Sequence, residues 1–414
     1  MIGYAHFDEP DDPQAGWAAS PATNGEPKRV AGIQHLRSDI VWLTNVEYSA
    51  WWKYRLGNQP NLRQALYART TIKALMADLG MAQPQHRAED ICAALYEVLT
   101  RTMRTAERAM GFKVGDFSHQ KMSEAIKLIL LGEREPREYA CSDNAVVSAL
   151  AGAIQSDSSC GAKKDERTKH TWVGVRRNRV QHALDILASP VPMGPWEVVP
   201  MSMLPASGRE RVAWVLSQSR PVLARISMTG EDSDQYRMVA FGVSSVQKTG
   251  SRSVGGSHMR QWVASPEMAM LASFCSVEVH DVLLASSYAP IAARYPFPTV
   301  EPHDWFSLSF GLFAENYWSS LIIPTKGSGP GQDSIHTARA VWLRAVDRVY
   351  SFHAAMQMRL SGVIVSQYGN GAVGCWVPEG GLAHIQDAAR RAGLLAPLLL
   401  PQSTRLEQGL EAAA

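Results

Sequence analysis

Residues 338–378 read ARAVWLRAVDRVYSFHAAMQMRLSGVIVSQYGNGAVGCWVP, and the two parts of this stretch follow different periods. Ala338, Trp342, Ala345, Val349, Phe352 and Met356, with Ile335 just before them, recur every three or four residues. That spacing puts them on one face of a long helix and leaves Arg339, Arg344 and Arg348 elsewhere around it. After Ser361 the pattern turns to Val, Ile, Tyr and Trp on either side of Asn370-Gly371. This pair suits a tight hairpin, because both central residues of such a turn need positive φ. A further helix, about Leu382 to Arg391, stops at Gly393. Helix, hairpin and helix together indicate an α+β arrangement, with helices on one face of an antiparallel sheet.

Working outward, Lys326–Ser334 (KGSGPGQDS) precedes the long helix, the order in which backbone N–H groups can cradle a phosphate. No Lys-Ser/Thr ends this loop and Pro330 removes one donor, so a flexible connector is the simpler reading. The segment LSFGLFAENYWSSLIIP is aromatic-rich but lacks the basic-glycine opening of the RNA-recognition signature. Before it stand two similar segments, VEVHDVLL from Val277 and VEPHDWFSL from Val300. In a strand, Glu278 and His280 share one face and Asp281 takes the other. Glu301 and His303 pair in the same way, although Pro302 argues against a central strand there. Glu and His can ligate a metal or exchange protons. One alternative is therefore a hydrolase-like enzyme using Glu278, His280 and Asp281, with Glu278, His280, Glu301 and His303 as metal ligands. Hydrogen-bonded or exposed strand ends are the commoner meaning of such short matches.

Charge supplies the leading functional clue. Between Lys163 and Arg179 the cations Lys163, Lys164, Arg167, Lys169, Arg176, Arg177 and Arg179 face only Asp165 and Glu166, a net +5 in a chain whose total is +2. The positive field is thus concentrated there. Residues 156–174 read as a basic flexible linker or loop. A helix should follow, with Val175, Val180, Ala183, Leu184 and Leu187 inside and the three arginines near its first turn. Lys248, Arg252 and Arg260 lie in a second Gly/Ser-rich stretch without an acidic neighbour. Mobile Lys/Arg segments beside a rigid scaffold are common phosphate contacts. The plainer alternative is a solvated loop followed by a helix whose arginines pair with nearby carboxylates.

The first 28 residues, with Asp8, Glu9, Asp11 and Asp12 among four prolines, read as a mobile acidic tail. Residues 29–155 read as a helical domain, including a long helix from about Arg87 to Met110. Residues 175–400 read as the α+β domain, with a helix at Arg209–Ser217 and strands at Pro221–Met228, Gln235–Val246 and Val277 onward. Residues 401–414 read as a frayed tail. The expected fold is thus a helical N-terminal half followed by a mixed, mainly antiparallel sheet with packed helices. Five scattered cysteines without a C-x-x-C pair indicate neither a disulfide framework nor a zinc finger. No apolar run is long enough to span a membrane and the first residues are acidic, so a cytoplasmic protein is expected.

The expected function is that of a nucleic-acid-binding or nucleoprotein-complex subunit, with no cofactor and no membrane partner, and more a binding protein than an enzyme. A protein-binding component of a larger assembly accounts for the tails and loops as well.

Overall fold

The structure, a computed structural model, describes residues 2–62, 72, 76, 81, 86–110, 143–154, 158–159, 170–229, 261–289, 311, 314–315, 317–323 and 336–394. The chain divides into two compact units, Met1–Glu133 with Arg294–Tyr317 and Pro397–Ala414, and Arg134–Ala293 with Trp318–Ala396.

The first unit opens with strands, which overturns the expected helical N-terminal half. Its elements are β1 (Ile2–Phe7), β2 (Gly16–Ala19), β3 (Lys28–Val30), β4 (Val41–Thr44), α1 (Tyr48–Lys53) and α2 (Ala88–Met110). The sheet runs in the order β3-β2-β1-β4, antiparallel except that β4 lies parallel to β1. The short apolar run IGYAHF outweighs the acidic, proline-rich residues behind it, since Tyr4, Ala5 and Phe7 lose all exposure in β1. Those carboxylates cluster at the turn after β1 and find partners. Asp8 pairs with Arg29 at 2.6 Å, while Asp11 accepts a hydrogen bond from Ser49 and Asp12 one from Tyr54. The residues expected to form a mobile tail are therefore the centre of a sheet.

Helix α2 packs on β1 and β2 and pushes Cys92 into the sheet, where Sγ lies 3.3 Å from the Trp17 carbonyl oxygen. Burial pushes the Cys92 thiol up to about 12 and the His6 imidazole down to about 4. His6 is then neutral at pH 7, and its Nδ1 lies 3.0 Å from the Tyr4 hydroxyl. Since the thiolate is the reactive form, Cys92 should resist a maleimide in the native chain at about pH 7.5 and react in denaturant. Peptide mapping by mass spectrometry checks this, and rapid native labelling of Cys92 would contradict the placement of α2.

The second unit carries two further sheets. Its elements are α3 (Asn144–Ile154), β5 (Ser158–Ser159), β6 (His170–Arg176), α4 (Arg179–Leu187), β7 (Val191–Val198), α5 (Glu210–Leu216), β8 (Val222–Thr229), β9 (Gln261–Ala264), α6 (Ser265–Ala272), β10 (Ser276–Ala289), α7 (Ala338–Leu360), β11 (Ile364–Gly369), β12 (Ala372–Pro378) and α8 (Leu382–Arg391). One sheet has the order β7-β10-β8-β9 and the other β5-β11-β12-β6, with every pairing antiparallel. Helices among the described residues are thus interspersed among three mostly antiparallel sheets rather than gathered at the start. Asn370 and Gly371 adopt φ of 53° and 66° and close the β11–β12 hairpin. Val365, Val373, Cys375 and Val377 from that hairpin join Ala224, Ile226, Val279 and Val282 from the other sheet in one core.

Helix α7 runs through this unit and packs against β11, α6, β7 and α3. Neighbours on several sides bury polar side chains that a one-faced helix would expose. Arg348, which the spacing put off the apolar face, is 2% exposed and grips Glu267 of α6 through Nε and Nη2, the latter at 2.8 Å. Its Nη2 also donates to the Ala153 carbonyl at the end of α3, at 3.0 Å. One cation therefore ties three helices together and satisfies a carbonyl left unpaired at a helix terminus. Glu267→Ala leaves that guanidinium buried without its anion and should cost about 3–5 kcal/mol in urea unfolding. Arg390→Ala, which removes an exposed pair with Asp387, should cost less than about 1 kcal/mol. Equal effects would contradict the burial of Arg348.

Candidate nucleic-acid interface

From His170 onward, the described part of the basic stretch is a strand, a turn and a helix. Val173 and Val175 of β6 face the core, and Arg176 ends the strand. Arg177 and Asn178 make the turn, and the Asn178 side chain caps α4 by accepting from the Gln181 N–H at 3.0 Å. The helix expected from Val175 therefore starts only at Arg179, because period-two alternation prevails up to Arg176.

Arg177 is committed: Nη2 reaches Asp185 at 2.5 Å, Nη1 lies 2.9 Å from His182 Nδ1, and the guanidinium sits 4.6 Å from the Tyr350 ring centroid. The carboxylate-pairing alternative thus describes Arg177. Guanidinium can only donate, so His182 Nδ1 accepts and the imidazole proton resides on Nε2. From there it is donated to Asp347 Oδ1 at 3.0 Å.

Asp347 lies in α7 with no exposure and gathers donors from four places. They are His182, the Ser351 hydroxyl at 3.2 Å, Arg344 at 3.2 Å, and the backbone N–H groups of Asn370 and Gly371, both at 2.9 Å. Arg344 also donates to Asn370 Oδ1 at 2.6 Å. The Arg177 N–H closes the circuit on the Gly371 carbonyl at 2.8 Å. A Cβ at Gly371 would stand 2.6 Å from His182 Cδ2, so glycine is required there for space as well as for φ. One carboxylate thereby fixes the hairpin tip, the β6–α4 turn and the helix behind them.

Burial by itself raises the Asp347 pKa, but the hydrogen bond from His182, the charge of Arg344 and the Asn370 N–H outweigh it, and the group ends below its ordinary value. The unfolded chain therefore binds the extra proton first as pH falls. This contribution to stability is present above the unfolded aspartate value of about 3.9 and is lost as pH drops through the lower folded one. Asp347→Asn should be less stable than wild type by about 2–4 kcal/mol near neutrality. In urea melts from pH 7 to pH 2 that gap should narrow below about pH 4, and a gap that stays constant would contradict the buried-carboxylate account.

The face of the third sheet opposite the core is partly open. Trp172, Gly174 and Arg176 of β6 lie on it, opposite Trp376, Gly374 and Ala372 of β12. Trp172 is 47% exposed, and Arg176 lies further along the strand beyond Gly174, partly buried. Among the residues singled out from the sequence, Arg176, Arg177 and Arg179 are brought together. Lys163, Lys164, Arg167, Lys169, Lys248, Arg252 and Arg260 lie outside the described residues, as does the Lys326–Ser334 loop.

The Glu-His-Asp reading fares differently. A bulge in β10 between Val279 and Asp281 interrupts the period of two at His280. His280 Nε2 lies 2.8 Å from the Ser227 hydroxyl and Asp281 pairs with Arg225 at 3.1 Å, while Glu278 is exposed. Glu301 and His303 lie outside the described residues. Among the described residues, no group of three His, Cys, Asp or Glu side chains could hold a metal ion. No helix of the described residues is long and apolar enough to cross a membrane. Trp172, His182 and Asp347 escaped the sequence reading. For Trp172 the signal was present in HTWVGVR, where Val173 and Val175 alternate with Trp172, Gly174 and Arg176.

No protein-family model and no curated protein matches the sequence. Among solved structures, similarity is found to phi29 DNA polymerase complexed with primer-template DNA and incoming nucleotide substrates, at 9% identity and a TM-score of 0.45 over 90% of this chain and 80% of that one. The phi29 DNA polymerase complexed with single-stranded DNA gives 9% identity and a TM-score of 0.45, covering 91% and 80%. Its orthorhombic crystal form gives 10% and 0.44, again over 91% and 80%. Likeness at this level is partial.

Proposed function

We propose that this chain is a nucleic-acid-binding protein that contacts the phosphate backbone through Arg176, Arg179 and the lysine-rich stretch just before β6. The observation that supports the reading is the concentration of cations that ends on the partly open sheet face at Arg176. Arg177 and Asp347 hold the turn, while Arg176 lies on the partly open sheet face and Arg179 begins α4. A rigid scaffold presenting cations beside an open face can neutralise phosphates with little loss of order on binding. Seven cations within seventeen residues supply the field that draws a polyanion to this edge.

Phosphate contacts release counterions, so affinity should fall steeply with salt and depend weakly on sequence. Arg176→Ala/Arg179→Ala should weaken binding of a labelled oligonucleotide several-fold at low salt and reduce the salt slope by about 1.4 for a single strand, at roughly 0.7 per phosphate contact. Fluorescence anisotropy at several salt concentrations checks this. Arg177→Ala should instead lower thermal stability. An unchanged slope in the double variant would remove these arginines from the interface.

A further inference from the structure

Trp172 stands on the open sheet face in a prepared position. Its indole lies across β12, and Nε1–H donates to the Ser366 hydroxyl at 3.2 Å. That hydroxyl in turn donates to the Gly374 carbonyl at 3.0 Å, so the ring is tied to the hairpin beneath it. The floor under the ring is glycine. A Cβ at Gly374 would meet Trp172 Cζ2 at 2.8 Å, and one at Gly174 would meet Cη2 at 3.3 Å. Two facing glycines therefore let the ring lie against backbone on one side, and its 47% exposure leaves the other side available to solvent. A large aromatic face held in this way is pre-organised for stacking.

Resting on the nucleic-acid reading above, we infer that Trp172 is a stacking platform for an unpaired base of single-stranded nucleic acid. Charge selects this occupant. Arg176 lies four residues along the same face, beyond Gly174, about 13 Å away at the rise of a strand. A strand whose base stacks on the indole and that continues along this face would bring a phosphate of a neighbouring nucleotide to that cation. Every base has a π-face, so recognition here is tolerant of sequence and requires an unstacked strand. A neutral peptide or a neutral sugar could also cover the ring, but neither draws on Arg176.

The test compares dT12 with an abasic deoxyribose-phosphate 12-mer of equal charge, by anisotropy, for wild type, Trp172→Leu and Trp172→Phe. Wild type should prefer dT12 by about 5- to 150-fold, the range expected for one stacked base. Trp172→Leu should lose that preference and keep its affinity for the abasic strand, whereas Trp172→Phe should retain most of it. If wild type binds both strands equally, or Trp172→Leu keeps the preference, stacking on Trp172 is overturned while the phosphate reading stands. If wild type binds neither strand at low salt, both readings fail together. Photo-crosslinking of the wild type to a 5-iodouridine oligomer decides the matter without any variant. A crosslink within residues 170–176 supports the platform, and crosslinks confined to other segments overturn it.

Discussion

The second unit turns on a single buried carboxylate. Asp347 cannot remain ionised in an apolar core unless donors surround it, and the donors that do so come from elements far apart in the chain. His182 comes from α4, Ser351 and Arg344 from α7, and two backbone N–H groups from the tip of the β11–β12 hairpin. Each element is thus placed by the need to satisfy the same anion. The left-handed conformation of Asn370 and Gly371 also serves this purpose. It turns two successive N–H groups inward, which an ordinary extended strand would send in opposite directions.

The consequences reach the surface through short links. Gly371 is jammed against His182, and its carbonyl receives the Arg177 N–H, so the turn after β6 cannot shift without disturbing the buried centre. Arg177 is spent on Asp185, His182 and Tyr350. The open sheet face beyond it carries Trp172, Gly174 and Arg176, whose register is fixed by pairing with Trp376, Gly374 and Ala372. The buried polar centre and the partly open sheet face are therefore two ends of one arrangement.

Local chemistry was legible in the sequence where it dominates. The apolar period of Ala88–Met110 and Ala338–Leu360, the Asn370-Gly371 turn and the helix at Leu382–Arg391 all follow from patterns within a few residues. The N-terminal sheet was not legible. Acidic and proline residues after Phe7 resemble a disordered tail, and only the pairing of β1 with two neighbours, with α2 packed over them, makes that short apolar run a core strand. Strand β6 was missed because Val175 fits both a helical series and a strand alternation. Asp347 and Arg348 gave no local signal, since a helix wrapped on several sides buries positions that a one-faced helix exposes. Of the candidate site, the charge of Arg176, Arg177 and Arg179 was legible, but not the ties of Arg177 to Asp185, His182 and Tyr350.

Hydrogen–deuterium exchange of the full chain with and without dT12 tests the central claim most directly. The account expects added protection in peptides covering residues 170–179 and 364–376, and none across β1–β4. Protection absent from both of those segments, with the oligonucleotide bound elsewhere, would contradict it.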